Sequence, residues 1–244
     1  MKIEYRKYEQ LASTNHEMAK IGDNLATNTV IYTDNQVAGV GQRGASWESE
    51  PNKNITMSML LRPTTILPYQ QFYISEGVSL AIIKVLSKYA NGFSIKWPND
   101  IYYKDSKICG ILIEHTLMSN KIQRTIVGIG LNINQNIFLS DAPNPISLLN
   151  IIAREINIVE VLEELAHEIV TICNFTSDYS FEQLHTNYLH NLYRNDGEFH
   201  TFTTPSRGEF QAKITNIKPT GEFILTDTEN IEHSYLFKEV AFKI

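Results

Sequence analysis

The chain of 244 residues is 43% apolar and 20% charged, with 21 Lys+Arg against 27 Asp+Glu and a formal net charge of −6. This is the make-up of an ordinary globular protein with material for one large domain and a small appendage, and its acidic balance argues against a broad nucleic-acid footprint. No apolar run approaches a membrane span and the start MKIEYRKYEQ lacks a hydrophobic signal core, so the expectation is a cytoplasmic protein without a membrane partner.

Residues 2–8 alternate Ile, Tyr and Tyr with charged neighbours, a short strand pattern. Thr14-Asn15-His16-Glu17 has the spacing of a capping box, with Thr14 as N-cap, and predicts a short helix ending at Gly22. Val30-Ile31-Tyr32 reads as a strand that runs into Gly39-Val40-Gly41-Gln42-Arg43-Gly44, which suits no regular element. A strand is predicted over Ile55 to Leu61, and a helical stripe runs from Tyr69 to Tyr89 through Phe72, Val78, Ala81, Ile82, Val85 and Leu86. Three strand-like runs follow at Phe93–Trp97, Lys107–Glu114 and Thr125–Asn134, the first two flanking a turn at Pro98-Asn99-Asp100. Between Ile146 and Tyr193 the pattern is helical, with a stripe through Val161, Leu162, Leu165, Ile169 and Ile172. After Asp196-Gly197, short alternating runs from Phe199 to Phe242 predict a small β-barrel of about five strands, with a domain boundary near residue 195. The two cysteines, Cys109 and Cys173, have neither metal nor redox spacing, and Cys109 is expected as a buried apolar residue.

Three segments could carry chemistry. The glycines at 39, 41 and 44 would let backbone N–H groups approach a phosphate or carboxylate, although for the loop taken alone a surface hairpin is the favoured reading and no Walker or dinucleotide fingerprint is present. Lys96-Trp97-Pro98-Asn99-Asp100 with Lys107 places two ammonium groups around a short excursion, where they could share one anion. Gly128-Ile129-Gly130-Leu131-Asn132-Ile133-Asn134 ends an apolar strand in two amides that could meet a heterocyclic base, or could simply favour a turn.

Taken in order, Ser13-Thr14-Asn15, then Gln36 with Gly39–Gly44 and Trp47-Glu48-Ser49, then Lys96–Asp100, Lys107-x-x-Gly110 and Gly128–Asn132 resemble the biotin–protein ligases, also called biotin–[acetyl-CoA-carboxylase] ligases. The resemblance covers nearly the whole chain. It implies an α+β catalytic domain at 1–195, a mixed sheet backed by helices of the class II aminoacyl-tRNA synthetase-like kind, and a C-terminal SH3-like β-barrel at 196–244. It implies ATP, biotin and Mg²⁺ as substrates and cofactors, with no protein metal site. The partner it implies is a biotin carboxyl carrier protein presenting an acceptor lysine. Some members carry an N-terminal DNA-binding domain. Here the motif starts at Ser13, so the expected form lacks one and has no DNA partner. Members occur as monomers or as pairs, and a homodimer stays open.

The resemblance also assigns roles to residues. Ser13, Thr14, Asn15 and Gln36 contact the biotin head, whose ureido group needs both donors and acceptors. Lys107 is the catalytic lysine that reaches carboxylate and phosphate, with Lys96, Asn99 and Gly110 beside it. Gly39, Val40, Gly41, Gln42, Arg43 and Gly44 form the loop that closes over the ligand. Trp47 packs on the adenine and Asn132 recognises the nucleotide. Asp100 is expected to orient the incoming amine or take its proton. One departure stands out: Val40 occupies a place where the family loop usually has arginine, leaving Arg43 as the cation of the loop. A lipoate or octanoate ligase and a non-catalytic biotin or nucleotide sensor are the competing readings.

Overall fold

The computed structural model describes residues 2–140, 142–173 and 181–243, with Arg43 described through its backbone alone. Among these residues β1 (Glu4–Leu11) runs parallel to β2 (Thr29–Gln36), joined by helix α1 (Thr14–Ile21). The remaining pairings of the sheet are antiparallel: β2 with β3 (Ile55–Leu61), β3 with β7 (Lys121–Leu131), β7 with β6 (Ser106–Met118), β6 with β5 (Asp100–Tyr103), and β5 with β4 (Phe93–Lys96). The result is a seven-stranded mixed sheet in the order β1-β2-β3-β7-β6-β5-β4.

The predicted bounds of β3 match, because all seven of its residues are buried and the run is closed by Arg62-Pro63. Alternate residues of a strand point to opposite faces. Ile55, Met57, Met59 and Leu61 accordingly join the main core, while Leu60 joins Met18 of α1, Ile31 and Ile126 in a smaller one. The main core holds the buried stripe of α2 (Phe72–Leu86) and that of α4 (Ile158–Ile172), which pack on each other. α1 contacts β2, β3 and β7. It is only eight residues long, and parts of β5, β6 and β7 line an open cavity.

Three local expectations need correction. Ser13, with extended backbone, is the N-cap of α1 and its Oγ accepts from His16 N at 3.4 Å, so the box expected for Thr14 and Glu17 does not form. The Thr14 hydroxyl is buried instead against Gln36 and Ser58. β5 is a strand where only a turn was expected: four residues beginning with a turn-former carry too little pattern to read, yet Lys96↔Asp100 and Asp100↔Gly110 are paired. The helical stretch after Ile146 divides into α3 (Leu148–Ile152), α4 and α5 (Phe181–His190), and its part at 174–180 lies outside the described residues.

A second sheet contains β8 (His200–Thr204), β9 (Gly208–Ile217), β10 (Phe223–Asp227), β11 (Glu232–Tyr235) and β12 (Ala241–Phe242), antiparallel in the order β11-β10-β9-β8-β12. It is fastened to the first at several points. Trp97 stacks on Phe223 at 4.7 Å between ring centroids and donates from Nε1 to Gly221 O at 3.0 Å. Gly221 has φ +95, and a Cβ there would stand 2.8 Å from Phe72, so this turn requires glycine. The fully buried Glu76 of α2 meets His185 Nδ1 at 2.7 Å, and His185 Nε2 meets Asn216 of β9 at 2.8 Å. Burial raises the Glu76 pKa, and the bond to Glu76 raises that of His185. Among the described residues no helix is long and apolar enough to cross a membrane.

Candidate functional site

The open face over β6 and β7 is a cavity of about 430 Å³, within the range of small-molecule sites. Its lining includes Ser13, Thr14, Asn15, Gln36, Val40, Gly41, Gln42, Trp47, Lys96, Asn99, Asp100, Lys107 and Gly110. Most of the residues singled out from the sequence are therefore gathered round one space, although they come from distant parts of the chain.

One end is neutral and hydrogen-bonded. Gln36 Oε1 accepts from Thr14 N at 2.9 Å and from Thr14 Oγ1 at 3.3 Å. Ser58 Oγ lies 2.8 Å from Thr14 Oγ1 and 2.5 Å from Asn15 Oδ1. Asn15 Nδ2 donates to Glu114 Oε2 at 2.8 Å and to Leu112 O at 3.3 Å. Asn15 thus has its donors and acceptor engaged by the protein, and it fixes the network. Gly128 makes room for it, since a Cβ there would overlap the Asn15 amide.

The other end is cationic. Lys107 Nζ and Asp100 Oδ1 are ion-paired at 2.7 Å. Lys96 Nζ donates to Tyr102 Oη at 2.9 Å and lies 5.6 Å from the Phe242 ring centroid. Burial lowers the Lys96 pKa; the Asp100 charge opposes this, while Lys107 and Arg194 add to it. The carboxylate that accompanies the two lysines is therefore Asp100. A bulge between Ile101 and Tyr102 shifts the β5–β6 register here, and Asn99 clamps the β6 edge, with Nδ2 donating to Ile111 O at 2.8 Å.

The glycine loop forms a small hairpin that folds back on itself. Val40 bridges Ser46, Trp47 N donates to Gly39 O at 3.0 Å, and Gly41 N donates to Ala45 O at 2.5 Å. The Gly41 amide, one of those expected for a ligand, is thus spent within the loop. Gly39 and Gly44 do not line the cavity: Gly39 lies under Trp47, and Gly44, at φ +83, makes the turn. The Arg43 side chain lies outside the described residues. The loop lays Trp47 across the sheet floor, where a Cβ on Gly130 would overlap the indole and one on Gly110 would come within 2.9 Å of it. Trp47 Nε1 is buried without a partner among the described residues.

Asn132 is not brought to the cavity lining. Its Nδ2 donates to Ile146 O at 3.0 Å, and Asn134 likewise binds the backbone of Ile156, so both amides hold chain segments together. Cys109 is fully buried and burial pushes its thiol pKa up, as suits a core residue. Sequence reasoning missed Ser58 and Glu114, and it named the segment of Gly128 and Gly130 without giving either glycine a role. It also missed Phe237, Lys238, Val240, Ala241 and Phe242 of the C-terminal part, all of which line the cavity. Ser58 did carry a signal, as a polar residue inside an apolar strand.

Comparison with known proteins agrees with this geometry. The model of the biotin/lipoate A/B protein ligase family matches residues 9–132. The bifunctional ligase/repressor BirA of Bacillus subtilis is 33% identical over 124 residues, covering 50% of this chain and 37% of that protein. The biotin–[acetyl-CoA-carboxylase] ligase of Paracoccus denitrificans is 30% identical over 123 residues, covering 50% of this chain and 51% of that one. The matched region thus spans about half or less of these two relatives. The structure of biotin protein ligase from Aquifex aeolicus in complex with biotin and ATP superimposes with a TM-score of 0.81 at 22% identity, covering 98% of both chains. That likeness establishes the fold, a mixed sheet backed by helices with a small C-terminal sheet. With the family model matching 9–132, the chain belongs to the biotin/lipoate A/B protein ligase family.

Proposed function

We propose that the chain is an ATP-dependent biotin–protein ligase. It activates biotin to biotinyl-5′-AMP with release of pyrophosphate, then transfers biotin to a lysine of the biotin carboxyl carrier protein of a biotin-dependent carboxylase. The observation that carries this reading is the polarity of this one continuous cavity, with neutral donors and acceptors at the Thr14–Gln36 end and lysines at the Lys107 end. A ligand that fits both ends has a neutral head and an acidic tail, as biotin has. The ligase of Paracoccus denitrificans and the biotin and ATP complex of the Aquifex aeolicus protein support the same assignment.

In this reading Ser13, Thr14 and Gln36 receive the ureido head, and Asn15 holds Thr14 and the strand floor in place. The biotin carboxylate oxygen must attack the α-phosphorus, forming the C–O–P anhydride as the bond to pyrophosphate breaks. Two unit charges 4 Å apart repel by about 4 kcal/mol at an effective dielectric of about 20. Lys107 offsets this repulsion, with Lys96 behind it. Trp47, whose N–H has no partner among the described residues, serves the adenine, and the loop at 39–44 keeps water from the anhydride. Once anions draw Lys107 away, Asp100 is free to accept the proton of the acceptor amine as its nitrogen attacks the carbonyl carbon and AMP leaves.

Mg²⁺ belongs to this proposal as the counter-ion of the triphosphate. Asp100 is the one carboxylate among the described lining residues, and no group of three or more His, Cys, Asp or Glu stands together among the described residues. We assign catalysis to residues 1–195 and an SH3-like domain to 196–244, and place the reaction in the cytoplasm. Biotin-dependent exchange of pyrophosphate into ATP, present in the wild type and lost in Lys107→Ala, tests the assignment. Lack of exchange in the wild type leaves a sensor, and exchange with lipoate but not biotin gives the other branch of the family.

A further inference from the structure

The C-terminal sheet contributes a turn, Leu236 to Glu239, to the cationic end of the cavity. Glu239 N donates to Leu236 O at 3.0 Å, and the Glu239 carboxylate accepts from Leu236 N at 2.7 Å, so the turn is tied twice. Its third residue, Lys238, has φ +72. That left-handed position of a tight turn normally favours glycine, and a lysine there is held against its backbone preference. The turn sits beside the Trp97–Asp100 segment: the Phe237 ring lies 6.2 Å from that of Trp97, and Phe242, just beyond the turn, stands 5.6 Å from Lys96 Nζ.

The three lysines of the lining differ in what they face. Lys107 is paired with Asp100, and Lys96 is part-buried against Tyr102. Lys238 is exposed at the rim, has no carboxylate within 4 Å among the described residues, and has its neighbour Glu239 turned to backbone. Among the described lining side chains other than Lys238, Lys96, Lys107 and Asp100 together leave one net positive charge for a polyanionic triphosphate. Val40 provides no cation from the facing loop.

We propose that Lys238 is a specificity and transition-state residue for the nucleotide, binding the β- and γ-phosphates of ATP and neutralising the pyrophosphate as it leaves. A triphosphate with its α-phosphorus at the part-buried Lys107 must run outward, and Lys238 stands at that rim. The inference rests on the ligase reading. It is specific to the first half-reaction, because no pyrophosphate is present during transfer to the carrier.

The test compares Lys238→Gln, Lys238→Gly and Lys238→Arg by three measurements. These are biotin-dependent pyrophosphate exchange, inhibition by pyrophosphate, and single-turnover transfer from preformed biotinyl-adenylate to a purified carrier domain. Lys238→Gln and Lys238→Gly are expected to raise KM for MgATP and Ki for pyrophosphate about tenfold, as for a charge-assisted contact. KM for biotin and the transfer rate stay at wild-type values, and Lys238→Arg restores the exchange. Lys238→Gly also relieves the turn, so its Tm rises while its ATP dependence matches that of Lys238→Gln. Wild-type KM for MgATP in Lys238→Gln, or an equal loss in the transfer step, overturns the role. Absence of exchange in the wild type overturns the ligase reading instead.

Discussion

Lys107 and Asp100 are ion-paired at 2.7 Å on the cavity wall, with side chains 28% and 21% exposed. The pair is part-buried and lines the cavity, so an anion entering that space competes directly with Asp100 for the lysine. An arriving phosphate can therefore take the lysine, and the carboxylate is left facing the cavity. Asp100→Asn is expected to keep adenylate formation within a few-fold of wild type. Transfer from preformed adenylate should fall by about 10²-fold or more, the usual contribution of a positioned base. Rapid-quench transfer to the carrier domain measures this, and an unchanged rate removes Asp100 from the proton path.

Gly130 and Trp47 share the same volume. A Cβ on Gly130 would overlap the indole, so Gly130→Ala must lift Trp47 from the sheet floor while leaving the strand pairing with Thr56 and Gly110 intact. KM for ATP should rise about tenfold in the exchange assay, with biotin affinity little changed. The double variant Gly130→Ala/Trp47→Ala should be no worse than Trp47→Ala alone, since residues that act through one contact are not additive. Full additivity would mean that the glycine serves something other than the tryptophan.

The strength of local patterns explains what could be read in advance. β3 and the stripe of α4 were legible because each buries a continuous apolar face over seven residues or more. β5 was not, because Asp-Ile-Tyr-Tyr is short and follows directly on a turn. The lysines and the Ser13–Asn15 and Gln36 groups were legible as types. Their partners were not: Ser58, Glu114 and Leu112 reach Asn15 only through sheet pairings that sequence spacing does not express. Asn132 is divided, as its Nδ2 is used on the carbonyl of Ile146 while its Oδ1 is buried without a partner among the described residues. The lining from Phe237 to Phe242 was hidden because its aromatic residues also build the core of the second sheet.

Val40 lines the cavity and is 51% exposed, so a longer side chain there meets no packed neighbour at its tip. An arginine at this position would add a guanidinium to the cavity that Lys107 also lines. A charge-assisted hydrogen bond is worth about 1.5–3 kcal/mol, so Val40→Arg should slow dissociation of biotinyl-adenylate about tenfold or more. Stopped-flow displacement of the adenylate reads this directly. Unchanged or faster release in Val40→Arg would show that the loop acts through its backbone and not through charge.

His115 gives the fold an acid limit that is separable from the site. Its Nδ1 lies 2.9 Å from Thr125 Oγ1, and burial lowers its pKa to about 4. An unfolded histidine takes up its proton near pH 6.5, about 2.5 units higher. The folded state therefore binds fewer protons than the unfolded state between those values, and stability must fall as pH drops through that window. Above about pH 6.5 the contribution is complete, and below about pH 4 it is gone. At 1.36 kcal/mol per unit the loss is on the order of 3 kcal/mol, or roughly 6–12 °C in Tm for a chain of this size. His115→Gln can still bond Thr125 but does not titrate. Calorimetry at pH 7.5 and pH 4.5 should show a smaller drop in Tm for this variant than for wild type, the difference isolating His115 from the carboxylates that titrate in both. Equal drops would mean that the folded protein tolerates the charged imidazole and that the pocket around His115 opens to water on acidification.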